Sequence, residues 1–199
     1  MLSAGVHKVP QGHVAAVVTH LEMCAPPDLT DIAPPDGVRI RHIPAPDEVW
    51  YRDLIRRVGE NWLWVSRLEL ARDTLVAILS DPKVMVIVAE KNGVAEGILE
   101  LDFRTEGECE LSFFGLSAVL IGSGSGRALM NHAIKTTFAQ PVSRFHLHTC
   151  TLDHPEALAF YRRSGFHPTR HEIEIMPDPR LSGLFPKDAA PRWPIMAPD

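Results

Sequence analysis

The segment Ile121-Gly122-Ser123-Gly124-Ser125-Gly126-Arg127-Ala128-Leu129-Met130 narrows what this chain can fold into more than any other stretch. An apolar, strand-like run, Glu110-Leu111-Ser112-Phe113-Phe114-Gly115-Leu116, leads toward it. A helical pattern leaves it, with Met130, Ile134 and Phe138 on one face. Glycines at alternate positions let the backbone turn tightly and come close to a ligand. The first N–H groups of the following helix lack internal partners and lie at the positive end of its dipole. Such a turn can cradle a phosphate. Taken alone, the cluster reads equally well as a tight turn.

The spacing excludes two nucleotide-binding patterns. A dinucleotide fold wants G-x-G-x-x-G with an acid about twenty positions later. Here the third glycine comes one residue early, and Val142 and Ser143 stand where the acid belongs. A Walker-type loop needs Gly-Lys-Ser/Thr, whereas Gly126 is followed by Arg127 and Ala128.

A chain of 199 residues suits one domain with appendages, because domains usually run to ~100 to 200 residues. Its net charge of -5 argues against a general nucleic-acid partner, which requires a strongly basic face. Cys24, Cys109 and Cys150 are odd in number and lack C-x-x-C spacing, so neither a secreted disulfide framework nor a zinc ribbon is expected. The first residues lack signal-peptide character, and no apolar run approaches the ~18 residues of a membrane span. These features predict a cytoplasmic protein with no membrane partner.

Read in order, residues 13–23 form a first strand, and the linker holding Pro26, Pro27, Pro34 and Pro35 sets it apart from the main body. Val38–Ile43 alternates apolar with basic, as a half-exposed strand does. Asp47 can cap a helix that runs through Arg57 and stops at Gly59. After Trp62-Leu63-Trp64, a second helix is expected from about Glu69 to Leu79. The two indoles could line an acceptor pocket or belong to the core.

Val84–Glu90 is continuously apolar until its last residue, the mark of a strand covered on both faces. Asn92-Gly93 makes a tight hairpin turn, and Val94–Phe103 returns with Leu99, Leu101 and Phe103 on one side and Glu100 and Asp102 on the other. The strand feeding the glycine turn completes an antiparallel meander. A helix at 124–139 and a strand at Arg144–Cys150 then imply a parallel pair. Pro155 suits the first turn of a further helix and Gly165 its end. A last strand follows, from Phe166 to about Ile175. From Pro177 to Asp199 there are six prolines, with Leu181, Leu184, Phe185, Trp193 and Ile195 available for docking. The reading is a strand and linker (1–37), a main domain (38–176) and a proline-rich tail (177–199).

This order resembles the GNAT superfamily of acyl-CoA-dependent N-acetyltransferases. One motif is similar to the family signature R/Q-x-x-G-x-G/A, matched at Gly124 and Gly126, with Gly122 an additional family glycine and Ile121 at the leading position. The other is similar to N-x-x-A-x-x-x-Y-x-x-x-G-F, matched at Ala157, Tyr161, Gly165 and Phe166, with His154 at the first position. The resemblance implies an α+β fold with a mixed sheet of about six to seven strands flanked by helices. It also implies acetyl-CoA as acyl donor, its pyrophosphate held by Gly122, Ser123, Gly124, Ser125 and Gly126. His154 stands at a position that contacts pantetheine in the family. It is a poor helix cap, which assigns the cap to Asp153. Spacing of seven puts His154 and Tyr161 on one helix face.

In the family an amine attacks the thioester directly, through a tetrahedral intermediate. The resemblance assigns the backbone N–H of Leu116 to polarising the carbonyl, and such preorganised donors are worth ~2.7 to 4 kcal/mol. Tyr161 is the expected partner of the leaving sulfur, since a phenol of pKa ~10 stays protonated near neutrality. Glu110 occupies the position of the catalytic glutamate of some GNAT histone acetyltransferases. It reads either as a base acting through water or as a strand-end carboxylate beside a turn. Thr149 replaces the glutamate used by ribosomal-protein N-terminal acetyltransferases, leaving Glu100 and Asp102 as substitutes. His146 and His148 have metal-compatible spacing on one strand face but no convincing third ligand, so no metal is expected. The acceptor is expected to be a small-molecule or peptide amine, and exposed strands with an apolar tail are compatible with a homodimer. A catalytically silent acyl-CoA-binding module is the other reading.

Overall fold

A computed structural model describes residues 3–198. Its seven strands are β1 (His13–Met23), β2 (Val38–Ile43), β3 (Val84–Lys91), β4 (Val94–Asp102), β5 (Glu108–Leu116), β6 (Arg144–Cys150) and β7 (His167–Pro177). They form one sheet in the order β2-β3-β4-β5-β6-β1-β7, with β5 and β6 parallel and the other neighbours antiparallel. Its α-helices are α1 (Glu48–Gly59), α2 (Arg72–Leu79), α3 (Ser125–Phe138) and α4 (Ala157–Arg163). The architecture is α+β.

Two cores lie on opposite faces of the sheet. One packs Tyr51, Leu54, Ile55 and Val58 of α1 and Leu75 of α2 on Val86, Val88 and Ile98. The other packs Leu129, Met130, Ala133 and Ile134 of α3, with Tyr161 of α4, on Ile87, Ala89, Leu99 and Leu101. The unbroken apolar run of β3 follows from this arrangement, since Val86 and Val88 serve one core and Ile87 and Ala89 the other. The Asn92-Gly93 turn, with φ of 53° and 81°, suits the twist between β3 and β4.

The strand expected to stand apart does not. β1 fills the place between β6 and β7, pairing with both, because the proline-rich linker carries the chain across the structure to β2. The tail is ordered and docked: Phe185, Ala189 and Ala190 are buried in the core on the α1 face, with Leu184 and Trp193 packed against it. Arg180, 2 % exposed, is fixed by Asp178 at 2.6 Å and donates to the carbonyls of Ala189 and Trp193 at 3.1 and 2.8 Å.

Asp47 caps α1 as expected, its Oδ1 accepting from the N–H groups of Val49 and Trp50 at 3.0 and 3.1 Å. Asp47→Ala should lower stability by ~1 kcal/mol and the unfolding midpoint by ~2 to 4 °C, measured by calorimetry. The second helix starts at Arg72 rather than Glu69. Arg52 holds the preceding segment in a non-helical path by donating to the carbonyls of Arg67, Leu68 and Leu70 at 3.0, 2.7 and 2.8 Å.

Candidate active site

The site begins where the sheet comes apart. β5 and β6 pair only at Glu108–Arg144, Cys109–Phe145 and Glu110–His146. Beyond these, β5 stays with β4 as far as Leu116 and β6 stays with β1 as far as Cys150, so a gap opens between them. A bulge at Ser112, between the pairs Leu101–Leu111 and Glu100–Phe113, shifts the side-chain alternation of β5. Phe114 and Leu116 thereby join the α3 face, while Phe113 joins the α1 core. Ser117 N–H donates to the Glu96 carbonyl at 2.7 Å. Alternation along an antiparallel strand therefore turns the Leu116 N–H away from β4 and toward the gap.

The glycine turn lies directly after β5. Gly122 and Gly124 have φ of 79° and 90°, which other residues adopt only with strain, and Gly124 is the N-cap of α3. Ser123 N–H donates to the Leu120 carbonyl at 3.2 Å, and Ser125 N–H to Ser123 Oγ at 3.3 Å. The N–H groups of Gly122, Gly124 and Gly126 have no acceptor among the described residues. These alternate donors are the free ones, and no acidic side chain occupies the first turn of α3. An anion fits there, drawn by the donors and by the helix dipole. Coenzyme A's pyrophosphate meets that requirement.

Tyr161 lies on the same face as the turn, against Phe114, Phe160 and Phe166 at ring separations of 6.2, 5.6 and 6.1 Å. The side chain is 8 % exposed. Its hydroxyl has no hydrogen-bond partner among the described residues, yet it is not one of the sealed polar atoms. Burial pushes the phenol well above the usual tyrosine value, and the charge of Asp153 pushes it further. It therefore stays protonated and offers an unused hydrogen-bond donor.

Asp153 does not cap α4. Its Oδ2 accepts from Thr149 Oγ1 at 2.7 Å and Cys150 N–H at 2.9 Å, and its Oδ1 accepts from Trp64 Nε1 at 3.0 Å. With that carboxylate committed, α4 starts at Ala157 instead of Pro155, preceded by turns. His154 consequently lies outside the helix and shares no helical face with Tyr161. Its Nδ1 accepts from Glu156 N–H at 3.1 Å, and its ring meets Trp62 edge-on at 5.3 Å. Arg192 of the tail covers Trp62, 5.6 Å from the ring centre, and donates to the Asp153 carbonyl at 3.0 Å.

Of the carboxylates considered as base, two are committed elsewhere. Glu100 is 0 % exposed and accepts from the Tyr51 hydroxyl and, at 2.6 Å, from Arg67 Nη2. Burial raises the Asp102 carboxyl, but the hydrogen bonds and charge of Arg104 outweigh it and hold the group below the usual carboxylate range. Glu110 is half-buried at the fork, and its carboxylate has no hydrogen bond or ion pair among the described residues. Its neighbour His146 is driven toward the neutral form by burial and by the charge of Arg144. His146 also sits 3.4 Å from Glu108, and His148 faces His20 at 5.7 Å. Among the described residues no group of three or more His, Cys, Asp and Glu is arranged to hold a metal, and no helix is long and apolar enough to cross a membrane.

Sequence reasoning missed Arg67, Tyr51 and Arg192. The signal for the first two was Glu100 itself: a carboxylate between Leu99 and Leu101 in a strand covered on both faces needs a cation and a donor. Nothing local marked Arg192.

No curated protein sequence matches the chain. Among solved structures, it is similar to a conserved protein of unknown function from Staphylococcus epidermidis, with 13 % identity over 82 % of this chain and 62 % of that one, TM-score 0.57. A GCN5-related N-acetyltransferase from Sphaerobacter thermophilus is 19 % identical over 84 % of this chain and 52 % of its own, TM-score 0.57. The chain thus spans less than two thirds of either protein. An aminoglycoside acetyltransferase from an uncultured soil metagenomic sample is 17 % identical over 65 % of this chain and 88 % of its own, TM-score 0.53. At these identities the likeness is one of fold. The acetyltransferase (GNAT) family model, however, matches residues 44–166, from the end of β2 to just past the helix bearing Tyr161. That match spans more than half of the sequence, and the chain belongs to the acetyltransferase (GNAT) family.

Proposed function

We propose that this chain transfers the acetyl group of acetyl-CoA to a primary amine on a small molecule or peptide, by direct attack in a ternary complex. The observation that carries this reading is the set of three N–H groups, of Gly122, Gly124 and Gly126, without a partner among the described residues, set just after a strand that parts from its neighbour. Acetyl-CoA, when bound, supplies an activated acyl group and a thiolate leaving group. The chain's own residues divide the remaining work.

The glycine donors hold the pyrophosphate, with Ser123 and Ser125 fixing the turn through their mutual hydrogen bond at 2.7 Å. The Leu116 N–H, which faces the gap, polarises the acyl carbonyl. Tyr161 donates a hydrogen bond to the leaving sulfur, and burial together with the charge of Asp153 keeps the phenol protonated for that task. Glu110 takes a proton from the amine through water, since it is the one carboxylate of the three considered without a competing arginine or tyrosine. His154 lies beside α4, where its ring can border the pantetheine arm.

The first test is thermal unfolding with acetyl-CoA, using desulfo-CoA to exclude reaction with cysteines. A ligand at one hundred times its dissociation constant adds ~2.7 kcal/mol, or ~5 to 10 °C for a chain of this size. A saturable shift with both compounds is expected. No shift in folded protein free of prebound coenzyme A would sink the reading.

A further inference from the structure

Trp64 is held more tightly than a pocket-lining residue needs to be. Two glycines make room for it: a side chain at Gly59 would meet its Cβ and Cε3 at 2.7 Å, and one at Gly115 would meet its Cη2 at 2.6 Å. Its ring lies 5.4 Å from Phe113, and its Nε1 donates to Asp153 at 3.0 Å. Gly115 and Phe113 belong to β5, whereas Asp153 follows β6 and is anchored there through Thr149 and Cys150. One indole therefore spans from α1 over β5 to the end of β6, crossing the gap on the face opposite the α3 core.

We propose that Trp64 is the wall that limits the donor's acyl group to a short chain. This rests on the acyl-transfer reading above. A donor anchored at the glycine turn reaches the gap from the α3 face and brings its acyl carbonyl to the Leu116 N–H. The next residue back along β5 is Gly115, whose opposite face is filled by Trp64 and by Val58, 2.7 Å from where a side chain would begin. An acetyl methyl needs little room there. A longer chain runs into an indole that cannot swing aside without breaking its bond to Asp153 and leaving that carboxylate short of a donor.

The test is calorimetric titration of the full chain with desulfo-CoA, acetyl-CoA and hexanoyl-CoA, with Trp64→Leu and Trp64→Phe beside the unmodified protein. The unmodified chain should bind hexanoyl-CoA roughly tenfold or more weakly than acetyl-CoA. Trp64→Leu should bring the two together while desulfo-CoA affinity stays put. If Trp64→Leu does not fold, Trp64→Phe decides, and it should narrow the preference. Equal affinity for both donors in the unmodified chain overturns the proposal alone, as does an unchanged preference in a folded variant that binds desulfo-CoA normally. Absence of all coenzyme A binding overturns the acyl-transfer reading and this proposal with it.

Discussion

Tyr161→Phe should depress amine acetylation by roughly 10²- to 10³-fold, the range that one preorganised hydrogen-bond donor to developing charge contributes. The substitution removes one oxygen and keeps the ring, so the contacts with Phe114, Phe160 and Phe166 survive. The hydroxyl bonds to no described residue, so its loss orphans no buried partner. Stability and acetyl-CoA affinity should therefore stay near those of the unmodified chain while turnover collapses. The pH profile follows from the same environment. Burial and Asp153 raise the phenol, so it keeps its proton up to and beyond the usual tyrosine value of ~10. Loss of that proton should produce no alkaline fall in rate below this pH. Steady-state rates of coenzyme A release against pH check both points. Undiminished turnover in the variant would remove Tyr161 from the chemistry. Binding without turnover in the unmodified chain, across a broad amine panel, would favour the silent acyl-CoA-binding module.

Arg67→Ala should cost ~3 to 5 kcal/mol, the penalty for stranding a buried charge. Glu100 is fully buried and relies on Arg67 and the Tyr51 hydroxyl. Burial, reinforced by the Glu100 charge, pushes the Tyr51 phenol well above its usual value, so Tyr51 remains a neutral donor and its single hydrogen bond is all that Glu100 then keeps. Scanning calorimetry should show the midpoint falling by ~6 to 20 °C. Replacing Arg67 and Glu100 together with Met and Leu should recover much of this, because neither charge then remains buried alone. A loss below ~2 °C for the single variant would show that water reaches Glu100 once Arg67 is gone.

The strands and the main helices were legible wherever a local rule decided them. The apolar run of β3, the Asn92-Gly93 turn and the Asp47 cap each depend on residues within a few positions. Residues 13–23 were legible as a strand but their neighbours were not, because alternation does not name a partner. The proline-rich linker signalled separation, yet it only carries the chain away from β1 to start β2 at the far edge. The beginning of α4 was misplaced for a similar reason. Asp153 is a good cap by type, but its carboxylate is claimed by Trp64, 89 positions away. In the site, spacing exposed the glycine turn and Tyr161. The ordering of Glu110, Glu100 and Asp102 needed the positions of arginines that sequence distance does not reveal.

The place of β1 also bears on how the molecule is made. Val17 N–H donates to Thr151 Oγ1, 134 positions along the chain, and the other edge of β1 waits for β7. At ~5 to 20 residues per second, the ribosome leaves β1 without either neighbour for on the order of ten seconds. Through that interval an apolar strand has two open edges, the state most exposed to wrong pairing and to capture by chaperones. The halves of the sheet on either side of the gap can therefore mature on different schedules. The β2–β5 meander closes from neighbours in sequence, whereas β1 can pair only once β6, and then β7, have emerged. Among the strands, the one made first is among the last to find its place.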